Sequence, residues 1–101
     1  MSAIPENLSR HQLKELSRIE IYERVEQAVQ AGDISIGQAI QVLRQNVAQL
    51  TQAQYAKLCG VSQRTLAAVE SNQANPSIDT LNQLLKLFGL KLGLSRLHPL
   101  R

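Results

Sequence analysis

The side chains in this 101-residue sequence that could carry catalysis or hold a metal are few and scattered. A single cysteine, Cys59, excludes an internal disulfide, and with only two histidines, His11 and His98, it excludes a structural zinc site by residue count. Neither histidine has the carboxylate or nucleophile partner that catalysis would need, and both read as surface residues. Cys59 reads as a small core residue rather than a redox sensor, because a reactive thiol needs exposure and a lowered pKa. No nucleophile–base pair, paired-carboxylate constellation or phosphate-binding glycine loop is present. The chain is therefore not expected to be an enzyme, and no cofactor or metal is implied. What remains is charge. The net value of +3 divides unevenly: residues 1–40 hold four Lys/Arg against six acids, and residues 41–101 hold seven against two, Glu70 and Asp79. An acidic first part and a basic second part point to a polyanion-facing half.

The basic half contains the one stretch with a specific construction, Leu50 to Glu70. Two short helices share a turn of a few residues. Ala56 supplies a small side chain where the first helix crosses its partner, and Gly60 stands where the chain reverses, a position that favours positive φ. Leu66 and Val69 lock the second helix onto Tyr55 and Cys59. This is how a helix-turn-helix is built, and such a motif presents its second helix, here over 62–71, to the DNA major groove.

The elements that must position this motif are helical. Three aromatics, five glycines and three prolines argue against a β-sandwich and for a helical bundle, and 44% apolar residues fill one modest core. No apolar run approaches the roughly 20 residues that span a bilayer. The first residues lack the basic start and apolar stretch of a signal peptide, so a cytoplasmic protein with no membrane association is expected. The chain divides into an amphipathic helical arm over 1–32, a compact run of short helices over 33–89 and a tail over 90–101. In the arm, Ser9 and Gln12 have capping-box spacing, Leu13, Leu16, Ile19, Val25, Ala28 and Val29 recur at roughly helical intervals, and Gly32 is a natural stop. Ser17 with Glu20 forms a second box, so one helix and two are both open. Ser35 and Gln38 start a stripe of Ile36, Ile40, Leu43, Val47 and Leu50 on a helix ending near Ala48. Thr51 with Gln54 opens the next helix, Ser62 the one after it. Residues 72–76 are a loop by composition. Ser77 caps a last helix with Ile78, Leu81, Leu84, Leu85 and Phe88 inward, and Gly89 ends it. From Leu90 to Arg96 the period becomes two. A lone strand leaves its backbone groups unpaired, so either it pairs with the same strand of a second copy, making Leu90, Leu92 and Leu94 dimerisation residues, or it is an apolar tail covering the helices. The first is the expectation carried forward.

The pattern Leu50-Thr51-Gln52, Ala56, Gly60-Val61-Ser62, Thr65-Leu66, Glu70, then Pro76-Ser77 and Thr80-Leu81, resembles the Cro/cI-type (XRE) helix-turn-helix regulators over about 55 residues, from Ile36 to Leu90. The resemblance implies an all-α, lambda-repressor-like fold and double-stranded operator DNA as partner. It assigns Gln52, at the start of the first motif helix, to a backbone phosphate, helped by the positive helix end. Gln63 and Arg64 fall at the exposed opening of the recognition helix. A glutamine amide pairs with adenine N7 and N6, and arginine forks onto guanine O6 and N7. Ser62 caps that helix and reaches toward a phosphate, and Ala67 suits a thymine methyl. Asn72 and Gln73 are placed for backbone contacts, as are Arg44 and Lys57 if their faces point outward. Glu70, acidic beside a polyanion, is expected to make a structural salt bridge or hydrogen bond instead.

Within the family, the tail strand makes the HipB type of antitoxin the nearest resemblance. Two readings of function follow. In one the chain is a homodimeric, sequence-specific repressor of its own operon. In the other its main role is to hold and neutralise a HipA-type kinase or other toxin protein, with operator binding secondary.

Overall fold

In the computed structural model, the structure describes residues 3–94. A 3-10 turn over Glu6–Leu8 leads into α1 (Arg10–Leu13) and α2 (Arg18–Gln30), then α3 (Ile36–Leu43), which continues through a π-helical turn over Arg44–Ala48. The motif helices α4 (Gln52–Cys59) and α5 (Gln63–Glu70) follow, then α6 (Ile78–Leu85) and a closing 3-10 turn over Lys86–Phe88.

A hydroxyl starts each of the six α-helices. The side chains of Ser9, Ser17, Ser35, Thr51, Ser62 and Ser77 each accept from the backbone N–H three residues on. Each such cap contributes about 0.5–2 kcal/mol. At Ser17/Glu20, Ser35/Gln38 and Thr51/Gln54 the reciprocal bond is also made, so the box is complete. The use of both Ser9 and Ser17 settles the arm as two helices. That break changes the phase of the apolar stripe: Ile21, Val25 and Ala28 are buried, whereas Ile19, expected inward, is 66% exposed. Ile78 is likewise turned outward, and α6 buries Leu84 and Leu85.

The arm packs on its own subunit. Leu8, Leu13, Ile21 and Val25 share one core with Ile40, Leu43, Tyr55, Leu66, Leu84 and Phe88. Arg24 fastens the arm's start by donating from Nη1 to the Asn7 carbonyl at 3.0 Å. The chain's three aromatics form a row: Tyr55 stacks on Phe88 at 5.7 Å, and Phe88 meets Tyr22 edge-on at 6.2 Å. The Tyr55 hydroxyl donates to the Leu84 carbonyl, which satisfies the one polar atom of a wholly buried ring.

Gly37, in the first turn of α3, explains how closely α3 and α5 approach. A Cβ there would lie 2.0 Å from the Val69 carbonyl oxygen and 2.9 Å from Asn72 Oδ1. No side chain fits.

The tail corrects an expectation. Among the described residues there is no strand: residues 89–94 run without regular structure. The Leu92 N–H, which a strand partner was expected to engage, is taken by Asn82 Oδ1 at 2.7 Å. Leu90 and Leu92 are half-buried against the chain's own core, and only Leu94 is fully exposed. The alternative of an apolar tail covering the helices describes this segment. Ser95 and Arg96 of the expected strand, and His98, lie outside the described residues.

Candidate nucleic-acid interface

The motif is held at its turn by backbone chemistry. Gly60 takes φ 74°, its N–H bonds the Lys57 carbonyl, and the Val61 N–H bonds the Ala56 carbonyl at 3.0 Å. This is a Schellman closure, which needs the left-handed residue that glycine supplies at least strain. The fully buried Ala56 lets α4 and α5 cross, and Leu66, Val69, Tyr55 and Cys59 are all buried at their junction. Burial pushes the Cys59 thiol up from its ordinary value, the opposite of what a reactive thiolate requires. Asn72, with φ 60°, repeats the same closure at the end of α5: its N–H bonds Val69, and the Gln73 N–H bonds Ala68 at 2.9 Å.

The opening of α5 presents its polar side chains outward. Ser62, Gln63 and Arg64 are exposed. Ser62 Oγ accepts from the Thr65 N–H at 3.0 Å and donates to Thr65 Oγ1 at 2.8 Å, which fixes the first turn beneath the two exposed side chains. Ala67 is half-buried on the side facing α3, and Lys57, Asn72 and Gln73 are exposed. The structure thus puts Ser62, Gln63 and Arg64 together at one helix start, with Lys57 on the preceding helix and Asn72 and Gln73 past the far end.

Arg44 departs from that set. Its suggested phosphate contact required an outward face, and the side chain is instead buried, 7% exposed. Its Nε and Nη2 fork onto the Glu70 carboxylate at 2.7 and 2.9 Å, and Nη1 donates to the Leu50 carbonyl at 2.9 Å. The guanidinium therefore joins the end of α3, the segment leading into α4 and the last residue of α5. Gln52, half-buried, donates from Nε2 to Glu70 Oε1 at 3.0 Å, so Glu70 also anchors the amide assigned to a phosphate. Glu70 is the structural ion-pair residue expected of it. Its partner could not be named from sequence, because 26 positions separate the two and Arg44 sits in a helix whose outward face was undetermined. Gly37 was also missed, although a glycine inside a helical pattern is itself a signal of close backbone approach.

Among the described residues, no group of three or more His, Cys, Asp or Glu side chains could hold a metal, and no helix is long and apolar enough to cross a membrane. What the arrangement offers is an exposed helix start with amide and guanidinium donors, on a helix whose last residue is held in a buried ion pair. A family model described as helix-turn-helix matches residues 43–94, just over half the chain. Comparison with curated proteins and with solved structures found no match.

Proposed function

Because the chain belongs to the helix-turn-helix family of Cro/cI-type regulators, and is on that ground a DNA-binding transcription regulator, we propose that it is a homodimeric repressor acting at its own operator. The observation that carries this reading is the joint exposure of Gln63 and Arg64 on a capped first turn. In the proposed complex α5 enters the major groove, Gln63 pairs with adenine and Arg64 with guanine, while Gln52, Ser62, Lys57, Asn72 and Gln73 meet the backbone. Base contacts select sequence, and phosphate contacts set register.

Dimerisation follows from energetics. A bidentate base contact is worth about 1–3 kcal/mol, so one copy with this few base-reading side chains falls short of operator specificity. Two copies double the contacts and read half-sites roughly 34–36 Å apart. Leu87 and Leu94, both exposed, are available for such a contact.

The test is a titration of the DNA upstream of the chain's own gene against random duplex. Preference for the upstream duplex is expected, with Gln63→Ala and Arg64→Ala each lowering affinity by about 5- to 150-fold per half-site, and so by about 30-fold or more for the dimer. Equal binding to both duplexes by wild type and variants overturns the reading. The toxin-holding alternative has its own support. An apolar groove of about 540 Å³ runs between α2, α3 and the tail, lined by Val25, Val29, Ile36, Leu90 and Leu92, and shares no residue with α5. Co-purification with the product of a neighbouring toxin gene is its test, and an isolated locus removes it.

A further inference from the structure

The residues that precede α1 reach the same face as the recognition helix. Ala3 and Ile4 form one wall of a hollow of about 320 Å³ whose other walls include Gln41 of α3, Gln52 of α4 and Ala67 and Glu70 of α5. The strap is fastened where it enters the fold. The Pro5 carbonyl accepts from the Leu8 N–H at 3.0 Å, Leu8 is buried, and Ile4 packs on the core. Ala3 beyond it is exposed. These residues lie outside the matched range of 43–94, so the motif by itself says nothing about them.

The chemistry of the hollow suits an anion that is held without a cation. Glu70 brings a carboxylate to its wall, but that charge is forked by Arg44 and further bonded by Gln52 Nε2. One amide hydrogen of Gln52 is used in this way, and the other is available. Gln41, half-exposed on α3, brings a second amide to the same space. Neutral amide N–H groups are common donors to DNA phosphates.

We propose that this hollow receives a backbone phosphate of the bound duplex, with Gln41 joining Gln52 as donor and the strap at Ala3 forming the edge of the DNA interface. The inference rests on the DNA-reading role of α5 proposed above. Its test uses the full chain with Ala3→Lys, Ala3→Glu and Gln41→Ala, and Gln63→Ala as the control. Ala3 is exposed, so its variants should melt with wild type. Ala3→Lys is expected to tighten duplex binding about fivefold per subunit at low salt. It should also steepen the dependence of log affinity on log salt by about 1.8, the increment for one added phosphate contact in each half of the dimer. Ala3→Glu should weaken binding by a similar factor, and Gln41→Ala should weaken upstream and random duplexes alike. Wild-type affinity and slope in both Ala3 variants, with Gln63→Ala still defective, overturns the strap proposal and leaves the recognition helix intact. No duplex preference in wild type and no effect of Gln63→Ala overturns both.

Discussion

Replacing Glu70 by alanine would leave the Arg44 guanidinium buried without its carboxylate. Arg44 is 7% and Glu70 5% exposed, and the two are joined by two short bonds of 2.7 and 2.9 Å. Removing one member of a buried pair costs about 3–5 kcal/mol, because the surviving charge has lost both water and partner. Domains of this size are stable by only about 5–15 kcal/mol. At about 4–8 °C of Tm per kcal/mol, Glu70→Ala should lower the melting temperature by at least roughly 12 °C. The double variant Arg44→Met/Glu70→Leu removes both charges and should recover much of that loss, since a packed apolar pair often equals or exceeds a buried ion pair. It should not recover DNA affinity in full, because the amide of Gln52 has lost its acceptor. Thermal melts by circular dichroism and duplex titrations on the same samples separate the two effects. A Glu70→Ala protein melting within a few degrees of wild type would refute the account of the ion pair as the brace behind the motif.

Gly37→Ala should destabilise despite the roughly 1 kcal/mol that alanine gains as a helix former, because its Cβ would lie 2.0 Å from the Val69 carbonyl. A melting temperature equal to or above wild type would show that α3 and α5 can part at no cost. Glu20 accepts the Ser17 N–H, which holds its carboxyl below the ordinary 4.5, with smaller help from the Ser17 hydroxyl and from Arg24. A depressed carboxylate contributes stability that is present above the unfolded value and lost as pH falls through the folded one. The protection factor of the amides at the start of α2, taken against the intrinsic exchange rate at each pH, should therefore fall on acidification below about pH 4.5, and Glu20→Gln should flatten that change. Wild-type DNA binding should show a moderate salt slope, since Arg44 is held in its ion pair and the two motif helices carry Lys57 and Arg64 as their Lys/Arg residues. A very steep slope would mean that basic residues elsewhere touch the duplex.

Local signals made the helices legible. A Ser or Thr followed three residues later by Gln, Glu or Thr stands at the start of each of the six α-helices, and all six hydroxyls cap their helix. Gly60 was equally readable, because only the left-handed region closes so tight a turn. The exposure of Gln63 and Arg64 was legible, and the burial of Arg44 was not. Whether Arg44 faces water or protein depends on the azimuth of α3, which a π-helical turn shifts after Leu43. That turn leaves no mark in the apolar stripe. Ile19 was misplaced for a similar reason, since a break between α1 and α2 rephases every later position. The tail misled because an alternating pattern says which side chains share a face, and nothing about who bonds the backbone. Here that partner is Asn82, a side chain ten residues earlier.

The Ser62–Thr65 hydroxyl pair also bears on how this regulator could change its target. The first turn of α5 is closed by these two side chains beside Gln63 and Arg64, and the helix is seated by the buried Leu66 and Val69. Exposed positions of this kind tolerate substitution within about half a kcal/mol. On the proposed reading, in which Gln63 and Arg64 contact bases, new operator sequences can therefore be acquired at positions 63 and 64 one residue at a time without passing through an unfolded intermediate. Positions 44 and 70 are bound to change together or not at all.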